Sequence, residues 1–135
     1  MKENWIPWKI IELQGRYSYM SSIKDDSDGF QIIIQVEDDV EVEIYFEDGV
    51  LVYQCLEENF FLDRIYAVRD KYGKGYLWDN RFFIIEDSDY LEELEKKCLG
   101  IYEKDKLRHY VIVDSDYTLD IVCTPEPKIT IRNLK

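Results

Sequence analysis

Three glutamates at even spacing are the residues of this chain best placed for acid–base or metal chemistry. Glu41, Glu43 and Glu47 lie where polar residues alternate with apolar ones, so one face of a β-strand should carry all three. Two carboxylates on one face can form a glycosidase pair or hold a divalent cation. We favour the exposed face of an amphipathic strand and keep the catalytic or metal site as the alternative.

The single histidine is the other candidate for catalysis. His109 has the side chain whose ordinary pKa suits a general base near neutral pH. Ser18, Cys55 and Cys123 remain open as its partners, because sequence distance does not decide between them. We expect a structural or partly exposed histidine.

Other motifs for catalysis or cofactor binding are absent. The cysteines Cys55, Cys98 and Cys123 are odd in number and form no Cys-x-x-Cys pair, which predicts reduced, mostly buried thiols. The acidic loop 24–29 places Lys24 where a calcium loop needs its first carboxylate. The chain has no P-loop and no dinucleotide-binding or zinc-protease motif. We therefore predict no catalytic residue, no metal and no cofactor.

The surplus negative charge comes from one segment. Residues 24–63 hold thirteen carboxylates and one base, whereas the other residues hold sixteen acids and sixteen bases, so the net charge of −12 belongs to this block. A concentrated negative field favours a basic protein partner and disfavours nucleic acid and anionic membranes. The residues predicted to contact the partner are Glu41, Glu43, Tyr45 and Glu47, followed by Glu37, Asp38 and Asp39.

Tyrosines accompany these carboxylates. Tyr45 should face outward with the glutamates, and Tyr17, Tyr19 and Tyr53 lie in the same predicted meander. A surface that mixes tyrosines with carboxylates suits lysines and arginines. The alternative is that the rings cover the edge of the core with their hydroxyls in water.

Strand patterns dominate the elements that must position these residues. Period-two alternation and turn residues predict strands at 16–23, 30–36, 40–46, 50–55, 76–85, 107–113, 117–123 and 128–132. The first four read as an N-terminal meander. Apolar spacing and caps predict helices at 59–72 and about 88–99. The sequence thus predicts one α+β domain over 1–135, a mostly antiparallel sheet with two helices.

Targeting signals are missing as well. The first residues contain no apolar stretch typical of a signal peptide, and no apolar run reaches the length of a membrane-spanning helix. We expect a cytoplasmic protein that does not bind membranes.

Three segments carry a resemblance to a known group of proteins: Gly15-Arg16-Tyr17-Ser18, the acidic meander, and the closing pattern from 108–113 through 120–122 to 124–127. In these the chain resembles the small acidic immunity proteins of bacterial polymorphic-toxin systems and similar proteins of Firmicutes. The resemblance implies a cytoplasmic, non-enzymatic protein that occludes the active site of a toxin. It transfers no binding residue.

The leading hypothesis is therefore an acidic binding protein, an immunity protein that neutralises a basic toxin. Two alternatives stay open: a small metal-assisted hydrolase that uses the carboxylates of the sheet face, and a self-associating scaffold whose neutral half forms the interface. The oligomeric state does not follow from the sequence.

Overall fold

Two antiparallel sheets and three α-helices make up the fold, and a computed structural model describes residues 1–135. The strands are β1 Asn4–Pro7, β2 Ser18–Asp26, β3 Gly29–Val36, β4 Val40–Phe46, β5 Val52–Glu57, β6 Phe82–Glu86, β7 Arg108–Val113, β8 Tyr117–Cys123 and β9 Lys128–Asn133. The helices are α1 Leu62–Tyr72, α2 Tyr76–Asn80 and α3 Asp89–Lys97, with 3₁₀ turns at Glu58–Phe61 and Lys104–Lys106. The α+β class, mostly antiparallel sheet, is confirmed. None of the helices is long and apolar enough to cross a membrane.

The main core lies between the two sheets. The five-stranded sheet has the order β1-β6-β7-β8-β5, and the four-stranded sheet has the order β2-β3-β4-β9. Alternate side chains of β3 and β4 are fully buried, as the period of two predicts. They pack on the inward side chains of the larger sheet, which are Phe82, Tyr110, Ile112, Leu119, Ile121 and Cys123.

A second core covers the other face of the five-stranded sheet. There Phe83 and Val111 pack beneath the apolar stripe of α1, which is Ile65 and Val68, with Trp5 beside them. β7 and β8 are therefore buried on both faces, which explains their nearly continuous apolar sequence.

The predicted N-terminal meander is wrong at its fourth strand. β5 leaves the acidic sheet and pairs with β8, while β9 takes the place beside β4. A strand next to β4 meets its glutamates, and β9 places Arg132 directly opposite Glu41 and Lys128 opposite Tyr45. β5 has no base to offer at that position, so opposite charges across the strand pair favour β9.

The helix content also differs from the prediction. Residues 76–80 form the short helix α2 instead of the beginning of a strand, so there are three α-helices and not two. The aromatic residues of this segment suggested a strand, but Leu77 is buried against the second core as part of a helical turn. α3 begins as predicted, with the Ser88 hydroxyl accepting the Leu91 amide.

Candidate functional site

The predicted acidic surface is the outer face of the four-stranded sheet, and bases of the same chain cover it. Arg132 contacts Glu41 at 3.2 Å and Glu43 at 2.6 Å. Lys128 lies 3.1 Å from Glu47. All three glutamates are thus in ion pairs, although the residues that pair them follow by more than eighty positions.

The acidic turn between β3 and β4 is paired in the same way. Arg16 contacts Glu37 at 2.8 Å and Asp39 at 2.6 Å, and Lys135 lies 2.6 Å from Asp38. All six carboxylates predicted to bind the partner therefore have an intramolecular counter-charge. Such exposed pairs contribute little to stability, but they reduce the negative field that these residues present.

The pKa values follow from the same contacts. The Arg132 guanidinium lowers the pKa of Glu43 by hydrogen bonding to its ionised form, and Lys135 does the same to the pKa of Asp38. Tyr45, the seventh predicted residue, is half-buried and donates its hydroxyl to the Asp28 carbonyl. Its ring is held against the β2–β3 turn and its hydroxyl is occupied.

Six carboxylates of the acidic block have no ion pair, and four of them lie at or beyond the ends of β5 in the chain, while the other two belong to the β2–β3 hairpin. Asp48 belongs to the turn that enters β5, and Asp25 is opposite Phe30, whose ring centroid is 4.6 Å from that of Tyr53 on β5. Asp28 is in the β2–β3 turn, where its carbonyl accepts the hydroxyl of Tyr45 from β4. The exit of β5 carries the other three, which are Glu57, Glu58 and Asp63.

Exposed tyrosines line the region between these two ends. Tyr53 is 42 % exposed on β5, and Tyr117 is 48 % exposed on β8, next to the end of β5. Tyr17 and Tyr19 are exposed on the neighbouring edge of the other sheet, and the Tyr17 hydroxyl is 3.4 Å from Ser115 Oγ. Tyr45 thus lies on the outer face of β4 with the glutamates, as predicted, and a second group of exposed tyrosines lies around β5.

Three cavities adjoin β5. An apolar one of about 290 Å³ lies at Val52, between β5 and the end of α3, with Leu94 and Tyr102 in its wall. A polar one of about 250 Å³ lies at Gln54 and is lined by Glu3, Asp89, Glu93 and Asp120, with Arg64 and Tyr90. The third, also about 250 Å³, lies at Cys55 on the opposite face of the strand.

A buried polar chain joins α3, the five-stranded sheet and α1. His109, fully buried, has Ser88 Oγ 2.8 Å from Nδ1 and Asp120 Oδ1 2.7 Å from Nε2. Arg64 donates to both oxygens of Asp120, at 3.0 and 2.9 Å. Burial opposes the ionisation of Asp120, but the hydrogen bond from His109 and the charge of Arg64 outweigh it and lower the pKa of Asp120.

Serine, histidine and aspartate in this order are the groups of a nucleophilic hydrolase. Here, however, the Ser88 hydroxyl also accepts the Leu91 amide as the helix cap and is 6 % exposed. We interpret the chain as the link that fastens α3 to the sheet. His109 is thus fully buried and not partly exposed, and Ser18, Cys55 and Cys123 are not its hydrogen-bond partners.

The cysteines are only in part as predicted. All three thiols are unpaired, but Cys123 alone is buried, while Cys98 is half-buried and Cys55 is exposed. Burial raises the pKa of Cys123 to about 11. The Cys55 residue is exposed as a whole, but partial desolvation of its thiol, with the charge of Asp114, raises the pKa of Cys55 as well. Nowhere do three or more histidine, cysteine, aspartate or glutamate side chains converge so as to hold a metal ion.

The sequence did not predict that β5 lies at the edge of the five-stranded sheet, because this position depends on β9 taking the place beside β4. The sequence does contain one signal for this pairing. Lys128 and Arg132 are four residues apart, so they lie on the same face of a strand, with a spacing that matches the β4 glutamates. No protein-family model matches this chain, and no curated protein or solved structure matches it either.

Proposed function

We propose that this chain is a non-enzymatic, cytoplasmic binding protein that neutralises a basic protein partner, and that the partner is a toxin, as the resemblance to immunity proteins implies. The observation that carries the proposal is that six carboxylates have no ion pair and that four of them, Asp48, Glu57, Glu58 and Asp63, flank β5. The outer face of β4, with every predicted carboxylate paired, takes second place.

Charge explains why the ends of β5 are favoured. An approaching cation gains most from carboxylates without an intramolecular partner, because it need not displace an arginine or lysine. Exposed tyrosines between the two acidic groups offer ring faces to the same cations. The surplus charge of the chain, −12 in all, would accelerate encounter with a basic protein at low ionic strength.

The test compares two matched double variants, each of which changes the net charge equally. Glu58→Lys/Asp63→Lys reverses unpaired carboxylates, and Glu41→Lys/Glu43→Lys reverses paired ones. The probe is a basic protein encoded by an adjacent gene, and the measurement is its association rate at low and high salt. We expect the first variant to slow association more than the second. Equal rates for all three forms would overturn the proposal.

Neutralisation is tested separately. Co-expression of the chain with that neighbouring protein should restore the growth of cells that the neighbour alone inhibits. Growth inhibition that persists while the two proteins form a stable complex would retain the binding role and reject the immunity role.

A second candidate function is self-association, which one surface favours. Leu99 is 91 % and Ile101 is 81 % exposed, and both lie in the part of the chain without surplus charge. Sedimentation at low and high salt would show a dimer insensitive to salt if this apolar surface forms the interface. A monomer under both conditions would reject this second candidate.

A further inference from the structure

We infer that β5 binds an extended segment of the partner as an additional β-strand, with a basic side chain of that segment next to Gln54 and an apolar one next to Val52. This inference rests on the proposed function, since it specifies how the basic partner is held. A sheet edge can accept a strand through its backbone, while pockets beside it select alternate side chains.

Two of the four sheet edges are protected by side chains. On β1, the Trp5 amide donates to the Tyr72 hydroxyl and the Trp5 carbonyl accepts from the Tyr76 hydroxyl. On β2, the Met20 amide donates to Asp114 at 2.9 Å, and the register shifts just after Met20. Capped groups and bulges are the usual means by which proteins prevent strand addition.

The remaining two edges differ in charge. β9 carries Lys128 and Arg132 and follows a proline-containing segment, and lysines and prolines discourage pairing at an edge. β5, with the sequence Val-Tyr-Gln-Cys-Leu-Glu, contains no lysine, arginine or proline. Its backbone is paired with β8 alone. Of the four edges, β5 is therefore the one without a protective device.

The direction of the unpaired backbone groups follows from the ladder. The Glu58 amide donates to the Asp116 carbonyl at 2.8 Å, a pair in register with Gln54 opposite Asp120. Because hydrogen-bonded and non-hydrogen-bonded pairs alternate along an antiparallel strand, the backbone amide and carbonyl of Gln54 point toward β8 and pair with Asp120. The amides and carbonyls of the intervening residues point away from the sheet, and these are Tyr53, Cys55 and Glu57.

Side chains of an added strand would meet different surroundings on the two faces. On the helix face, positions two residues apart would lie next to Val52 and next to Gln54. The first position adjoins the apolar cavity. The second adjoins the cavity lined by Glu3, Asp89, Glu93 and Asp120, where Lys2, Lys97 and Arg64 pair the last three and Glu3 has no basic partner. The segment that fits carries an aliphatic residue two positions from a lysine or arginine.

Charge also selects the partner over a second copy of this chain. If two copies paired through β5 in antiparallel fashion, Asp48 of one would approach Glu57 and Glu58 of the other. Like charges at both ends would oppose that pairing. A basic segment would meet favourable charge at the same positions.

The experiment uses the full chain and a short peptide with blocked termini. In this peptide, threonines alternate with other residues, and a leucine and a lysine stand two positions apart on the same face. The control peptide has glutamate in place of lysine. Amide hydrogen exchange should slow at Tyr53, Cys55 and Glu57 when the lysine peptide binds. Cys55→Pro removes one outward amide at an edge, where proline is tolerated, and should weaken binding about tenfold, whereas Cys55→Ala should not.

The outcomes separate this inference from the proposed function. Strand addition would be overturned if Glu58→Lys/Asp63→Lys abolished binding while Cys55→Pro left it unchanged and the three amides were not protected. The acidic binding role would be retained in that case. Equal binding of both peptides would overturn the assignment of the basic side chain. If Cys55→Pro fails to fold, exchange protection in the unmodified chain decides alone. A dimer that protects the same amides without peptide would contradict the choice of occupant.

Discussion

Arg132 Nη2 lies 2.6 Å from Glu43 Oε2, so a carboxylate predicted to bind a partner is already in an ion pair within the chain. The same guanidinium reaches Glu41 at 3.2 Å, so the last strand of the chain neutralises the strand that sequence patterns single out for partner binding. The carboxylates without an intramolecular ion pair, and not the segment with the most carboxylates, therefore favour β5 as the binding region.

Removal of this arginine should be visible in the titration of Glu43. In Arg132→Ala the pKa of Glu43 should rise toward its ordinary value, because the hydrogen-bonded counter-charge is gone. NMR titration of the glutamate side chains measures it. The thermal midpoint should change little, since exposed ion pairs contribute little to stability. A Glu43 pKa that does not move would show that Arg132 is not its partner in solution.

The buried chain through His109 should respond much more strongly. Asp120→Asn leaves Arg64 and His109 without their buried anion and should cost about 3 kcal/mol in the free energy of unfolding. Denaturant unfolding measures the loss. Glu93→Gln, an exposed carboxylate from the same cavity, is the control and should change stability little. Equal stability of Asp120→Asn and the parent chain would contradict the assignment of this chain as a structural link.

Asp120 should also make the free energy of unfolding depend on pH in the acid range. Its pKa is lower in the folded chain than in the unfolded chain, so its contribution is present above the unfolded value, near pH 4. It is lost as the pH falls below that value and passes through the folded pKa. Unfolding measured across this range should show a smaller acid-induced loss for Asp120→Asn than for the parent chain. Parallel pH profiles would count against the lowered pKa.

One buried hydroxyl offers a gain in stability. Thr118 Oγ1 is buried and has no hydrogen-bond partner, so the folded chain bears the cost of its desolvation. Thr118→Val keeps the shape and should raise the free energy of unfolding by about 1 kcal/mol. Thr124→Val, at an exposed position, is the matched control. A loss of stability in Thr118→Val would indicate that the hydroxyl is satisfied in solution.

Local patterns predicted the elements well and their partners less well. Alternation located β3 and β4, and the cap at Ser88 located α3, because these signals depend on neighbouring residues. The sheet to which β5 belongs depends on β9, which follows about seventy residues later. His109 likewise finds Ser88 and Asp120 at separations of 21 and 11 residues, distances at which sequence spacing carries no geometric information.

The association rate of the basic neighbouring protein tests the central claim most directly. At low salt, where charges act over about 10 Å or more, Glu58→Lys/Asp63→Lys should slow association by about tenfold or more. Glu41→Lys/Glu43→Lys should slow it less, and high salt should bring the three forms together. A larger effect of the β4 variant, or rates independent of salt, would contradict the account.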